Sequence, residues 1–233
     1  MRPVETLDAR VDSGGQLSFD GVPAELMDEL LPRVEARTRE RGLPRLKAVV
    51  EPDDDALDAL VRRSGFAQRG EMLRMWRRLD DPFDEPSWPG GVRVRTYEDR
   101  DARPLQSLLD AAYGAWDDTY VPRPHERWLK WMTDHDEFDP TLWFLVELAV
   151  ACALHWREIE GRGWLKDIVV RSDQRGAGLG KALVAQGLCA YARRGAERVG
   201  LKVDSTNPTG AIQLYERAGF EVDRRYGVWV KEL

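Results

Sequence analysis

Cysteine is scarce: Cys152 and Cys189 are the only two in 233 residues. They form no CxxC pair, so neither a disulfide framework nor a thiolate metal knot is implied. The three histidines, His125, His135 and His155, show no ligand spacing, and no metal site is expected. Apolar runs stay short of the ~18 residues a membrane span needs. The opening MRPVETLDARVDSGG holds no apolar signal segment. A cytoplasmic protein with no membrane partner is the expectation. Positive charge is not in excess either, with 35 Lys and Arg against 41 Asp and Glu, a net charge of −6. The basic strings RRSGFAQRG and YARRGAERVG are too dispersed to make a stripe, so no nucleic-acid partner is expected.

What the chain does have is enough apolar residue, 42%, for a sizeable core, and nine tryptophans, seven of them between Trp88 and Trp164. Periodicity predicts a helix over 24–41 with Leu26, Leu30, Val34 and Thr38 on one face. A strand RLKAVV, a helix in DDDALDALVRRSGF closed by Gly65, and a strand MLRMWRRL follow. Residues 81–91, rich in proline and glycine, read as a linker. Beyond it come a strand VRVRTY, a helix over 101–113 and a short helix PHERWLKWM. A hairpin of LWFLVEL and AVACALHWREI and a strand GWLKDIVV lead to a glycine loop. The chain ends with a helix, the strand RVGLKV, the helix TGAIQLYERAG and the strand GVWVKEL. This order predicts an α/β (α+β) fold, a mixed central sheet with helices on both faces.

The two ends of the chain resemble each other. GLPRLKAVVEPDDDALDALVRRSGF (42–66) aligns with GAERVGLKVDSTNPTGAIQLYERAGF (195–220) with one residue of slack. Residues 1–80 therefore read as a partial copy of the later unit. It lacks a glycine loop, the equivalent stretch lying near FDGVPAEL.

That loop, DQRGAGLGKAL, brings Gly176, Gly178 and Gly180 between a strand and a helix. Bare backbone and the unpartnered N–H groups of a helix start make a cradle for an anion such as a diphosphate. The nucleoside-triphosphate loop would need Ser or Thr after Lys181, and Ala182 stands there. The dinucleotide loop would need G-x-G-x-x-G on the first strand of its unit. Neither fits.

VVRSDQRGAGLGKALV resembles the acetyl-CoA-binding segment of the GCN5-related N-acetyltransferases, with Arg175, Gly178 and Gly180 at the motif positions. LKVDSTNPTGAIQLYERAGF resembles the family's later Asn, helical Tyr and Gly-Phe ending. The likeness covers residues 92–233, the expected catalytic domain, and tandem members carry a second, degenerate half. It implies acetyl transfer from acetyl-CoA, as cosubstrate, to the amine of a small molecule or peptide. Arg175, Gly176, Ala177, Gly178, Leu179, Gly180 and Lys181 would hold the pyrophosphate. Ile168, Val169 and Val170 would pair with the pantetheine arm where this strand splays from Val199–Val203. Asn207 would lie near that arm, and Tyr215 would face the thiol. A homodimer stays open, and a non-catalytic acyl-CoA-binding or protein-interaction module is the alternative.

An ammonium must lose a proton before it can attack a thioester, and the departing thiolate gains from an acid. Tyr215 is the candidate acid, with core packing as its other reading. Asp167 is the first candidate base, although Lys166 stands where relatives often carry a second acid. Strand alternation would put Lys166 and Asp167 on opposite faces. Glu147 and His155 are alternative bases. For the acceptor, Trp116, Tyr120, Trp128 and Trp131 are candidate walls, and Asp117 and Asp118 could meet an ammonium. Packing of Trp128 and Trp131 against the sheet is equally compatible with their spacing.

Overall fold

The computed structural model describes residues 16–17, 24–117, 120–147 and 150–233. Two helices, α1 (Ala24–Glu40) and α2 (Asp55–Arg63), alternate with the strands β1 (Gln16–Leu17), β2 (Arg45–Val50) and β3 (Ala67–Arg78). Asp54 starts α2 by accepting the Leu57 N–H at 2.9 Å. The later part holds β4 (Val94–Thr96), α3 (Ala102–Gly114), α4 (His125–Thr133), β5 (Phe144–Val146), β6 (Ala151–Ile159) and β7 (Arg162–Val170). It continues through α5 (Leu179–Arg193), β8 (Arg198–Asp204), α6 (Ala211–Arg217) and β9 (Glu221–Glu232). Every expected helix and strand forms. Two strand candidates, MLRMWRRL and GVWVKEL, prove to be ends of longer strands, Ala67–Arg78 and Glu221–Glu232. The buried face of α1 is Met27, Leu31, Val34 and Thr38, not the one starting at Leu26, which is exposed.

All strands join one mixed sheet in the order β1-β2-β9-β3-β8-β7-β6-β5-β4. The early part is woven into the same sheet as the later one. Its strand β3 is inserted between β8 and β9, and β9 in turn lies between β2 and β3. The β3–β9 register has two-fold symmetry. Ala67↔Val230 mirrors Trp76↔Glu221, Gln68↔Trp229 mirrors Met75↔Val222, and Met72↔Tyr226 maps onto itself. The two irregularities, at Arg69 and at Asp223, mirror each other as well. Each βαβ segment thus lends its last strand to the other, so both are needed to close the sheet.

Two layers flank the later strands. On one face α3 and α4 pack Leu105, Leu109, Trp128 and Met132 against Trp143, Leu154 and Val169. On the other, α5 packs Leu179 and Leu183 against Phe144, Ala151 and Ala153, and Val184 and Leu188 against Leu165 and Leu201. Along α5, Leu179, Leu183, Gly187 and Tyr191 follow one another at four-residue steps and are all buried. Covering a sheet on both faces in this way fits its apolar strands.

Candidate functional site

The parallel pairing of β7 with β8 runs from Arg162↔Arg198 to Leu165↔Leu201 and stops there. Residues 167–170 of β7 keep their antiparallel partner β6 but have no strand partner on the β8 side. This is the splay expected between Ile168–Val170 and the neighbouring strand. Directly after it the chain turns through Ser172–Gln174 into the glycine segment. Gly176 and Gly178 have φ of 81° and 86°, left-handed values that cost other residues energy, and a Cβ on either would meet open space. Gly178 is the N-cap of α5, with no side chain closing the cap. The first N–H groups of α5 are therefore bare at the end of the opening. Gly180 lies against Leu214 of α6, where a Cβ would sit 3.3 Å from Cδ2. The Arg175 side chain turns back to donate to the Val170 carbonyl at 3.2 Å. Lys181 reaches Asp84 of the connecting segment at 2.8 Å, fully on the surface. Asn207 precedes α6, its side-chain oxygen accepting from Thr209 N and Oγ1 at 2.9 and 2.6 Å.

β7 carries one extra residue, Lys166, opposite the Leu154–His155 step of β6. This bulge breaks the alternation. Leu165 and Ile168 face the α5 side, while both residues between them lie toward α3 and α4. Lys166 Nζ sits 3.2 Å from Asp167 Oδ2, so the expectation of opposite faces fails at the bulge. The other Asp167 oxygen accepts the hydroxyl of Tyr113 at the end of α3. Burial, and then the charge of Asp167, push the Tyr113 hydroxyl well above its usual range. The same two causes, in the same order, raise Tyr215. Asp167, Tyr113 and Tyr215 thus form one electrostatic group beside the opening, with both phenols held protonated. Tyr113 was missed in the sequence, because only the tertiary fold brings α3 to β7.

Other candidates lie elsewhere. Glu147 follows β5 at the far edge of the sheet, exposed and 3.8 Å from Arg93. His155 is fully buried on the α5 side, the face opposite Asp167. A Cβ on Gly187 would come within 2.5 Å of its Nε2, so the bare helix backbone makes room for the ring. Burial lowers the His155 pKa to about 4. It is a core residue without access to substrate. Trp128, 3% exposed, is likewise core, whereas Trp131 on the next turn is 46% exposed. Tyr120 stacks on Tyr113 at 5.5 Å and donates its hydroxyl to Asp110 at 2.5 Å. Trp116 and Asp117 line a cavity of about 100 Å³ with Lys47, Arg69, Asp204 and Thr206, and Lys47 reaches Asp117 at 3.4 Å. Asp118 lies outside the described residues. Burial raises both thiols, that of Cys189 to about 11, with Glu85 adding to the latter. Among the described residues no group of His, Cys, Asp and Glu gathers as metal ligands do. None of their helices is long and apolar enough to cross a membrane.

The family model described as "Acetyltransferase (GNAT) family" matches residues 103–220, which span the opening, the glycine turn and Tyr215. The chain belongs to the GNAT acetyltransferase family. This GNAT chain is 32% identical over 185 residues to the mycothiol acetyltransferase of Thermobispora bispora, covering 72% of this chain and 59% of that protein. It is 33% identical over 228 residues to the mycothiol acetyltransferase of Kineococcus radiotolerans, covering 87% and 71%. It thus spans less than two thirds of the Thermobispora protein's length. A GCN5-related N-acetyltransferase from Sphaerobacter thermophilus superposes with a TM-score of 0.72 at 28% identity, covering 95% of this chain and 74% of that one. A tandem GNAT protein from the clavulanic acid biosynthesis pathway shares the fold, with a TM-score of 0.62 at 17% identity over 95% of this chain and 76% of that one.

Proposed function

We propose that this chain transfers an acetyl group from acetyl-CoA directly to the primary amine of a small molecule or peptide. The observation that carries the reading is the end of β7–β8 pairing at Leu165↔Leu201, followed within the same strand by the bare start of α5. The unpaired edge of residues 166–170 suits an amide-bearing arm, and the N–H groups from Gly176 to Gly180 suit its diphosphate. The bound thioester supplies the acyl group and a thiol leaving group.

The chain's own residues divide the remaining work. Tyr215, kept protonated by burial and by Asp167, gives a proton to the leaving sulfur in this reading. Asp167 is the base for the incoming ammonium. It is held by Tyr113 and Lys166 and so presents one fixed orientation. N–H groups of the splayed strand are suited to the developing oxyanion. We read residues 24–80 as a second, loop-poor copy of the same unit, supported by the mirrored register of β3 and β9.

Calorimetric titration with acetyl-CoA tests the reading, on the natural chain and on a Gly178→Glu, Gly180→Glu double variant. Micromolar binding that the variant loses, with thiol release on adding an amine, supports it. Binding without turnover on any amine favours an acyl-CoA-binding module. No binding sinks both.

A further inference from the structure

Strand alternation sets Leu73, Met75 and Arg77 of β3 on one face, toward α5 and α6, and all three are buried. An arginine thus takes the third place of a core stripe. It is 7% exposed, and no carboxylate among the described residues pairs with it. Its Nη2 donates to the carbonyls of Asp81 and Pro82 at 3.3 and 2.6 Å, and its guanidinium carbon lies 5.7 Å from the ring centre of Phe83. Its Nε is buried with no hydrogen-bond partner among the described residues. A guanidinium cannot shed its proton to escape this setting. Two carbonyls and a ring answer the charge in part, but a buried charge without a counter-ion still costs stability.

The fold makes room for this side chain and for something beside it. Gly219, just past α6, has a φ of 83°, and a Cβ there would fall 1.7 Å from Arg77 Nη1. Both residues line a cavity of about 590 Å³ between α5 and α6. Its walls are Phe83 of the connecting segment, Val184, Ala185 and Leu188 of α5, and Leu214 and Ala218 of α6. The exposed charges around it come in both signs: Lys181 pairs with Asp84, and Glu216 adjoins Arg217. Arg77 is the one lining charge set back from solvent. Apolar walls around a few recessed polar groups are the pattern of a small-molecule site.

We infer that this cavity binds a carboxylic acid with an apolar body, its carboxylate on Arg77 and its hydrocarbon part along Val184, Leu188 and Leu214. The carboxylate supplies the counter-ion and accepts from Nε. A neutral molecule of the same shape leaves Nε unpaired, and a cation is repelled. The cavity is set apart from the opening. Arg77 pairs with Val199 near the start of β8, whereas the opening begins past Leu201. Acid binding here does not require acetyl transfer.

Calorimetric titration of the full chain with octanoate and with octanamide, alike in length and unlike in charge, tests this. Octanoate should bind one per chain, at least tenfold more tightly than octanamide. Arg77→Met should bring octanoate down to the level of octanamide. Ala185→Phe fills the space from the α5 wall, leaves the guanidinium in place, and should weaken octanoate at least tenfold. Circular dichroism checks that each variant is folded. If Arg77→Met is not, the acid–amide difference in the wild type and its loss in Ala185→Phe decide. Saturating acetyl-CoA should leave octanoate binding unchanged, although the cavity reaches Lys181. Displacement of octanoate by acetyl-CoA would give the cavity to the cofactor and overturn the inference. Absent octanoate binding, equal affinity for acid and amide, or undiminished octanoate binding in Ala185→Phe overturns it too, and leaves Arg77 as a clasp for the connecting segment alone.

Discussion

Leu165 and Leu201 are the last residues at which β7 and β8 pair as parallel strands. Beyond them the β8-facing amides of residues 166–170 have no strand partner. Such amides exchange with solvent quickly unless a ligand takes the missing strand's place. Hydrogen exchange followed by mass spectrometry should show peptides spanning 166–170 slowing on addition of acetyl-CoA, together with those spanning the start of α5. Unchanged exchange under saturating cofactor would remove the strand-pairing role from β7.

Tyr215 packs its ring edge-on to Phe220 at 5.9 Å, and its hydroxyl is the only part that Tyr215→Phe removes. The variant should keep its fold, with a stability change within about 1 kcal/mol. If the hydroxyl is the acid, kcat should fall by ~10²-fold or more with little change in acetyl-CoA affinity. The folded pKa is raised, so the unfolded chain loses this proton first as pH rises past about 10. The stability this phenol contributes is therefore present below that pH and lost above it, and Tyr215→Phe should soften the alkaline loss. Wild-type kcat in the variant leaves the phenol as packing alone.

Much of this was legible along the chain. The glycine turn, Tyr215 and the element order after residue 92 rest on local pattern, and local pattern survives folding. What was hidden depends on contacts far apart in sequence. The hydrogen bond from Tyr113 to Asp167 spans 54 positions. The bulge at Lys166 needs the facing strand to define it, so alternation misjudged the one pair of residues at which it mattered. Spacing alone could not separate Trp128 from Trp131, since the edge of the α4 face falls between them. The likeness of residues 42–66 to 195–220 was visible, but not that β3 would enter the sheet between β8 and β9.

His155 is buried without a hydrogen bond to either ring nitrogen, and burial lowers its pKa to about 4. The unfolded chain takes up this proton near pH 6.5, whereas the folded chain resists until about 4. The stability it contributes is thus complete above about 6.5 and is lost as pH falls toward 4, amounting to roughly 3 kcal/mol. His155→Leu should flatten that part of the stability curve relative to wild type in urea titrations at stepped pH. Parallel curves for the two proteins would show that the imidazole is not the group titrating.

The inserted strand β3 makes a stronger demand. It pairs with β8 from Arg198 to Asp204, including the stretch that β7 has already left. It also grips the loop beyond: the Glu71 N–H donates to Ser205 Oγ at 2.9 Å, and the Ser205 N–H donates to the Glu71 carbonyl at 2.8 Å. That loop leads to Asn207 and α6. Without β3, the wall of the opening formed by residues 202–204 has no strand neighbour, and Leu201 and Val203 lose the cover of Leu73 and Met75. Met75→Ala should cost about 2–5 kcal/mol, the range for emptying a filled core site. A chain beginning at residue 92 should fail to unfold cooperatively and fail to bind acetyl-CoA, and adding residues 1–80 in trans should restore both. Wild-type binding by the isolated 92–233 chain would show that the opening stands on β7 and β8 alone.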